Sequence, residues 1–228
     1  MWGKLIAATG AAIALPAAAY VASPYLNRDP MPDLPGYPRY IAVDQPLIAH
    51  GGGGLPTTTY ANNLEAIDLA AKHGFELIEL DFGMVDGELV IGHEGHLQSD
   101  LTVEQLLDWL RSHPGVQIVT DMKRDNVERL SLLKAAAGDD ISRFIPQVYS
   151  LDEVDLVTAL GYPEPILTIY QMAKPVDVDL VNNTPLRAVT APRDAMPLTG
   201  AIKHPVYLHT VNYPMPGFGL YTDCLIPG

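Results

Sequence analysis

The chain has 228 residues, with 14 basic against 27 acidic side chains and a formal net charge of −13; 48% of it is apolar and 18% charged. That balance excludes a disordered chain, and the acidic excess leaves no basic stripe to neutralise nucleic-acid phosphates, so no nucleic-acid partner is expected. The one cysteine, Cys224, rules out an internal disulfide, a thiolate zinc site and an iron–sulfur cluster.

Met1-Trp2-Gly3-Lys4 is a short head with one positive charge, and Leu5 to Ala22 then carries no charge and includes Ala17-Ala18-Ala19. This is the layout of a secretory signal with small residues at its cleavage point. The run is alanine-rich, broken by Pro16 and just short of the ~20 residues a bilayer span needs. Residues 1–23 are therefore read as a signal peptide or an N-terminal membrane anchor. Either one exports the rest of the chain, to a periplasmic or extracellular location or to the outer side of a membrane to which it stays tethered. Residues 24–42 follow, with Pro24, Pro30, Pro32, Pro35, Gly36 and Pro38, and read as an extended spacer. The folded domain spans 43–228.

Within it, short apolar runs alternate with helical patterns. Pro46 to His50 is a strand, and Asn62 to His73 an amphipathic helix stopped by Gly74. Phe75 to Asp81 is a strand, and Asp86-Gly87 turns the chain back into a hairpin arm, Glu88 to His93. Thr102 caps a helix to Ser112. Val116 to Asp121 is a strand, Asn126 to Ala137 a helix, Arg143 to Val148 a strand and Leu151 to Leu160 a helix. Four apolar runs close the chain: Pro165 to Tyr170, Leu186 to Thr190, Val206 to Val211 and Gly219 to Asp223.

With the hairpin arm set aside, strands and helices alternate as in a parallel sheet, and eight strands predict a (β/α)8 TIM-type barrel. Ala191 to His204 and Tyr213 to Phe218 hold too many Pro and Gly for ordinary crossover helices. The expectation is thus a compact barrel with shortened C-terminal helices and a hairpin after strand 2. An open doubly wound sheet is the alternative.

Polar residues gather at the C-terminal ends of the early strands, where barrel enzymes build their sites. The first strand ends in His50 and runs into Gly51-Gly52-Gly53-Gly54; the second ends Glu79-Leu80-Asp81; the third ends Asp121-Met122-Lys123. Side chains alternate along a strand, so Glu79 and Asp81 share one face. The hairpin returns His93. Three clustered carboxylates repel one another unless protons or a cation intervene, and an all-oxygen donor set suits one Mg²⁺ or Ca²⁺ better than zinc. Two histidines beside such an ion form a general acid–base pair. The backbone N–H groups of the glycine run either approach an anion or serve only a flexible loop. Lys123 either meets a phosphate or pairs with Asp121.

These stretches resemble the glycerophosphodiester phosphodiesterases, within the phospholipase C-like phosphodiesterase superfamily of TIM barrels. The matching segments are Ile48-Ala49-His50-Gly51, Asn62-Asn63-Leu64-Glu65-Ala66, Gly74 to Asp81, Asp86 to His93 and Val119-Thr120-Asp121-Met122-Lys123, with later echoes at Ile145-Pro146-Gln147, His209 to Asn212 and Tyr221-Thr222-Asp223. The resemblance implies His50 and His93 as the catalytic pair and Glu79, Asp81 and Asp121 as ligands of one divalent cation. It also implies Lys123 near the phosphate; Gly51, through the N–H groups of the glycine run, and His209, at a late strand end, are the further candidates for the substrate site. The chain departs from that family at four points. Gly51 stands where the family carries arginine, Ala61 where it carries the glutamate of a Pro-Glu-Asn-Thr motif, Asp121 where it carries glutamate, and His209 where it carries tryptophan. The expected function is metal-dependent hydrolysis of a small-molecule or lipid phosphodiester, a glycerophosphodiester or a lysophospholipid. The alternative is a membrane-tethered binding protein that kept the barrel and lost turnover.

Overall fold

The computed structural model describes residues 46–56, 58–93, 99–172 and 175–225. The leader and spacer expected over 1–42 lie outside the described residues. Among the described residues no helix is long and apolar enough to cross a membrane.

Nine strands are present among those residues: β1 Leu47–Ala49, β2 Leu77–Val85, β3 Glu88–Ile91, β4 Gln117–Asp121, β5 Phe144–Val148, β6 Ile166–Thr168, β7 Ala188–Pro192, β8 Val206–His209 and β9 Gly219–Thr222. Eight of them pair in parallel in the order β1-β2-β4-β5-β6-β7-β8-β9, and β9 pairs back onto β1, with Ile48 opposite Tyr221. The sheet is therefore a closed (β/α)8-type barrel, and the open sheet is excluded. β3 hangs off the extended end of β2 as an antiparallel arm, Phe82 opposite Ile91 and Val85 opposite Glu88. Its turn places Asp86 at φ 51° and Gly87 at φ 87°, the two positive values that a two-residue hairpin turn of matching twist needs. β2 thus runs on past Asp81, because its upper half pairs with the arm rather than with the barrel.

Short polar caps start the helices. Asn63 accepts from the Ala66 N–H at the start of α1 (Leu64–Lys72), and Thr102 and Gln105 form a reciprocal capping box at α2 (Val103–Ser112). α3 (Asn126–Ala137) and α4 (Asp152–Ala159) follow β4 and β5. On the C-terminal side α5 (Val178–Asn183) and α6 (Met196–Thr199) are short, and β8 leads to β9 without an α-helix. The shortened crossovers agree with the Pro and Gly content there. α5 goes beyond the sequence expectation: it is a six-residue helix capped by Asp177, too short to show a helical period.

The register aligns inward-facing side chains around the barrel. Ile48, Val119, Ile145, Ile166, Ala188, Tyr207 and Tyr221 fill its interior, with Leu77 packed against them. Burying an aliphatic side chain of this size contributes about 1.5–3 kcal/mol. A second apolar layer lies between the sheet and the helices, built around residues such as Ile67, Leu80, Leu106, Ile118 and Leu130. Strand alternation then sends Asp81, Asp121 and Gln147 inward above the apolar plug, at the C-terminal mouth.

The plug is tight at Gly219, where an added Cβ would stand 2.5 Å from Tyr207 Cδ1, whereas one at Gly115 meets nothing within 4 Å. Gly219→Ala should therefore lower stability by about 1–3 kcal/mol, while Gly115→Ala should stay within about 0.5 kcal/mol of the parent. Urea denaturation of the full chain reads both.

Candidate functional site: a buried carboxylate trio at the barrel mouth

Asp81 and Asp121 are register partners on β2 and β4, and Glu79 lies two residues below Asp81 on the same face. One carboxylate oxygen from each lies within 4.8 Å of the others. All three side chains are buried. Glu79 Oε2 accepts the Gly51 N–H at 2.6 Å, while Glu79 Oε1 is buried with no partner. Asp81 is held from three sides: Tyr60 Oη (2.6 Å) and Lys123 Nζ (2.8 Å) donate to Oδ1, and Asn62 Nδ2 (3.0 Å) donates to Oδ2. Asn62 also accepts the Asp81 N–H at 2.9 Å. The Tyr149 hydroxyl donates to Asp121, whose other oxygen meets Lys123 Nζ at 3.1 Å.

These contacts set the charge states. Burial, then the Asp81 and Asp121 charges, pushes Glu79 well above the usual carboxylate range. Burial pushes Asp81 up too, but the Lys123 ammonium and the Tyr60 hydroxyl outweigh it and hold that carboxyl below its ordinary value. Asp121 stays raised by burial, with Lys123 offsetting part of the effect. Burial alone would lower Lys123; Asp121 and Asp81 reverse that and keep it charged. Burial and the neighbouring carboxylates raise both phenols, Tyr60 and Tyr149, so they act as donors. Lys123 pairs with two of the three acids, and one buried oxygen of Glu79 is left without a partner. Such a donor set fits a hard divalent cation.

His50 follows β1 in a 3₁₀ turn, and its Nδ1 lies 2.7 Å from Asp223 Oδ1, just past β9. Asn212 Oδ1 accepts from the Asp223 N–H and from Thr222 Oγ1, both at 2.9 Å. The carboxylate fixes the ring and leaves Nε2 for proton exchange. His93 stands just beyond β3. With Asp81, Asp121, Lys123, Arg124 and the buried Arg129 it lines a cavity of about 190 Å³. His50 is not among its lining residues. Tyr60 neighbours both histidines, its ring centroid 4.6 Å from that of His50 and 6.0 Å from that of His93. His209, at the end of β8, packs its ring edge-on to His50 at 4.6 Å and lies 5.2 Å from Tyr170.

Every residue singled out from the sequence thus reaches the C-terminal mouth, but not in one cavity. Gly51 differs from its expected part: its N–H goes to Glu79, and its φ of 57° lets Tyr60 close over it. A Cβ there would lie 2.4 Å from Tyr60 Cδ2. Lys123, expected beside a phosphate, pairs with Asp81 and Asp121.

Sequence reasoning assigned no role to Tyr60, Asn62 or Tyr149. The sequence starts the helix at Asn62; it starts at Leu64 with Asn63 as its cap, and Asn62 is thereby released to Asp81. Tyr149 carried a usable signal, because it continues the inward parity of Ile145 and Gln147. Tyr60 carried none.

No family model matches this chain, and no curated protein does. Among solved structures, glycerophosphodiester phosphodiesterase from Thermotoga maritima superimposes with a TM-score of 0.57 at 17% identity, over 81% of this chain and 97% of that one. Glycerophosphodiester phosphodiesterase from Agrobacterium tumefaciens gives 0.51 at 13% identity, over 78% and 94%. The barrel fold is shared across nearly the whole of those enzymes.

The raised carboxyls make a linkage prediction for the protein in chelator. A carboxyl raised in the folded state adds stability that is full below the ordinary carboxylate range and is lost as pH rises through the raised value. Glu79 and Asp121 both act in that sense. Asp81 acts in the opposite sense, and its contribution is lost only in acid. Urea midpoints should therefore fall from about pH 5 to about pH 8, and Glu79→Gln should flatten that fall.

Proposed function

We propose that this chain is a metal-dependent phosphodiesterase, exported by its N-terminal segment, that hydrolyses glycerophosphodiesters or lysophospholipids. The observation that carries the reading is the buried trio Glu79, Asp81 and Asp121, with its unpartnered Glu79 oxygen, set beside a His50–Asp223 pair. Glu79, Asp81 and Asp121 would hold one Mg²⁺ or Ca²⁺. When bound, the ion neutralises charge that builds on phosphate oxygens and lets an anionic diester approach an acidic protein. The two solved enzymes above, named for glycerophosphodiesters, share the barrel and support the substrate class.

The chain's own groups divide the remaining work. Asp223 orients His50 through Nδ1, so His50 Nε2 exchanges a proton with the attacking or departing oxygen. His93 performs the complementary transfer from across the Tyr60 ring. The side chain of Lys123 is one-third exposed at the rim of the cavity, and its ammonium contributes positive charge toward the phosphate. His209 and Tyr170 flank His50 on the far side and wall the space for the group esterified there. A barrel that only bound a ligand would have no use for a part-buried carboxylate ordering one imidazole.

The test is hydrolysis of bis(p-nitrophenyl) phosphate and glycerophosphocholine by the full chain, with and without Mg²⁺ or Ca²⁺. Release should stop with chelator, and His50→Ala should lower the rate by about 10²–10⁴. Ligand binding with no release in either protein, or in a lysophospholipid assay, contradicts the enzyme reading and leaves the tethered binding protein.

A further inference from the structure

Tyr60 is an L-residue at φ 62°, and Asn62, two positions on, is at φ 51°. Two side-chain-bearing residues in the left-handed region within three positions are unfavourable, and such strain persists only where the surroundings impose it. The imposing contacts are on both sides. The Asn62 N–H donates to the Gly51 carbonyl at 2.8 Å, stitching this loop onto the glycine turn. Gly51, itself at φ 57°, leaves out the Cβ that would collide with Tyr60 at Cδ2 (2.4 Å) and Cα (2.8 Å). The ring can sit where it does only because residue 51 is glycine.

The two ends of the side chain meet different partners. The ring and Cα close over Gly51, whereas the hydroxyl donates to Asp81 Oδ1 at 2.6 Å. Asn62 holds the other oxygen of the same carboxylate at 3.0 Å. Asp81 is therefore clamped in its plane by two residues of one strained loop. The ring also neighbours both imidazoles, its centroid 4.6 Å from that of His50 and 6.0 Å from that of His93. A phenylalanine would fill the same space but could not hold Asp81.

We propose that Tyr60 is a positioning residue of the cation site: its hydroxyl fixes the Asp81 carboxylate for ligation, and its ring, seated over Gly51, sets the spacing of the two histidines. This rests on the reading of Glu79, Asp81 and Asp121 as ligands. Hydrogen-bond partners of metal ligands typically carry a 10–100-fold effect on affinity.

The test uses the full chain and titrates Mg²⁺ and Ca²⁺ calorimetrically into wild type and Tyr60→Phe, with thermal midpoints taken in EDTA. Tyr60→Phe should weaken the ion about 10-fold or more while its EDTA midpoint falls only slightly, because Lys123 and Asn62 still hold Asp81. At saturating ion its kcat should return toward wild type, whereas Tyr60→Ala, which removes the ring as well, should stay slow. Equal ion affinity in Tyr60→Phe and wild type overturns the inference alone. An EDTA midpoint that collapses in Tyr60→Phe also overturns it, because the hydroxyl would then be a folding contact. Failure of wild type to bind either ion overturns the metal reading and this inference with it.

Discussion

Carboxylates no more than 4.8 Å apart repel one another, and at an effective dielectric near 20 the cost is roughly 3 kcal/mol or more per pair when both are ionised. Burial adds a desolvation penalty to each. The upper half of this barrel is arranged around that constraint. Lys123 bridges two of the acids, two phenols and an asparagine amide donate to them, and the Gly51 N–H takes one oxygen of Glu79. Even so, Glu79 keeps an oxygen without a partner. A fold that needed only stability would replace such a cluster with apolar side chains at no loss. Its presence at a barrel mouth is compatible with a divalent cation.

The barrel supplies the cluster by register alone. Asp81 faces Asp121 across a parallel ladder, and closure of β9 onto β1 brings Asp223 to His50 across the length of the chain. Charge is unevenly shared around the rim. The acids, Lys123 and the first two histidines come from β1 to β4 and their loops, with Asp223 from the closing strand. From β5 to β8 the inward groups at the mouth are Gln147, Thr168, Thr190 and His209, with no carboxylate, lysine or arginine among them. The short crossovers α5 and α6 border this quieter side. On the proposed reading the reaction falls in one half of the mouth, and the other half is left to shape the substrate.

Much of this was legible in the sequence because it is periodic. The i, i+2 spacing of Glu79 and Asp81 put two acids on one face, the Asp86-Gly87 turn placed His93, and strand–helix alternation gave the barrel. Apart from Tyr149, what escaped was not periodic. Tyr60 reaches Asp81 through a loop with left-handed residues, and no repeat announces a tyrosine that fits over a glycine nine positions earlier. Lys123 was legible as a cation at the site, but its position depends on where three acids converge. Asp223 was legible as a strand end and not as a partner of His50, because barrel closure creates that contact.

The most direct measurement is the anomalous diffraction of crystals of the full chain soaked with Mn²⁺, an oxygen-seeking stand-in for Mg²⁺. The account predicts one ion bound at about 2.1 Å to oxygens of Glu79, Asp81 and Asp121, with Lys123 withdrawn from the trio. A mouth without an ion at high Mn²⁺, with Lys123 still seated between Asp81 and Asp121, would contradict it.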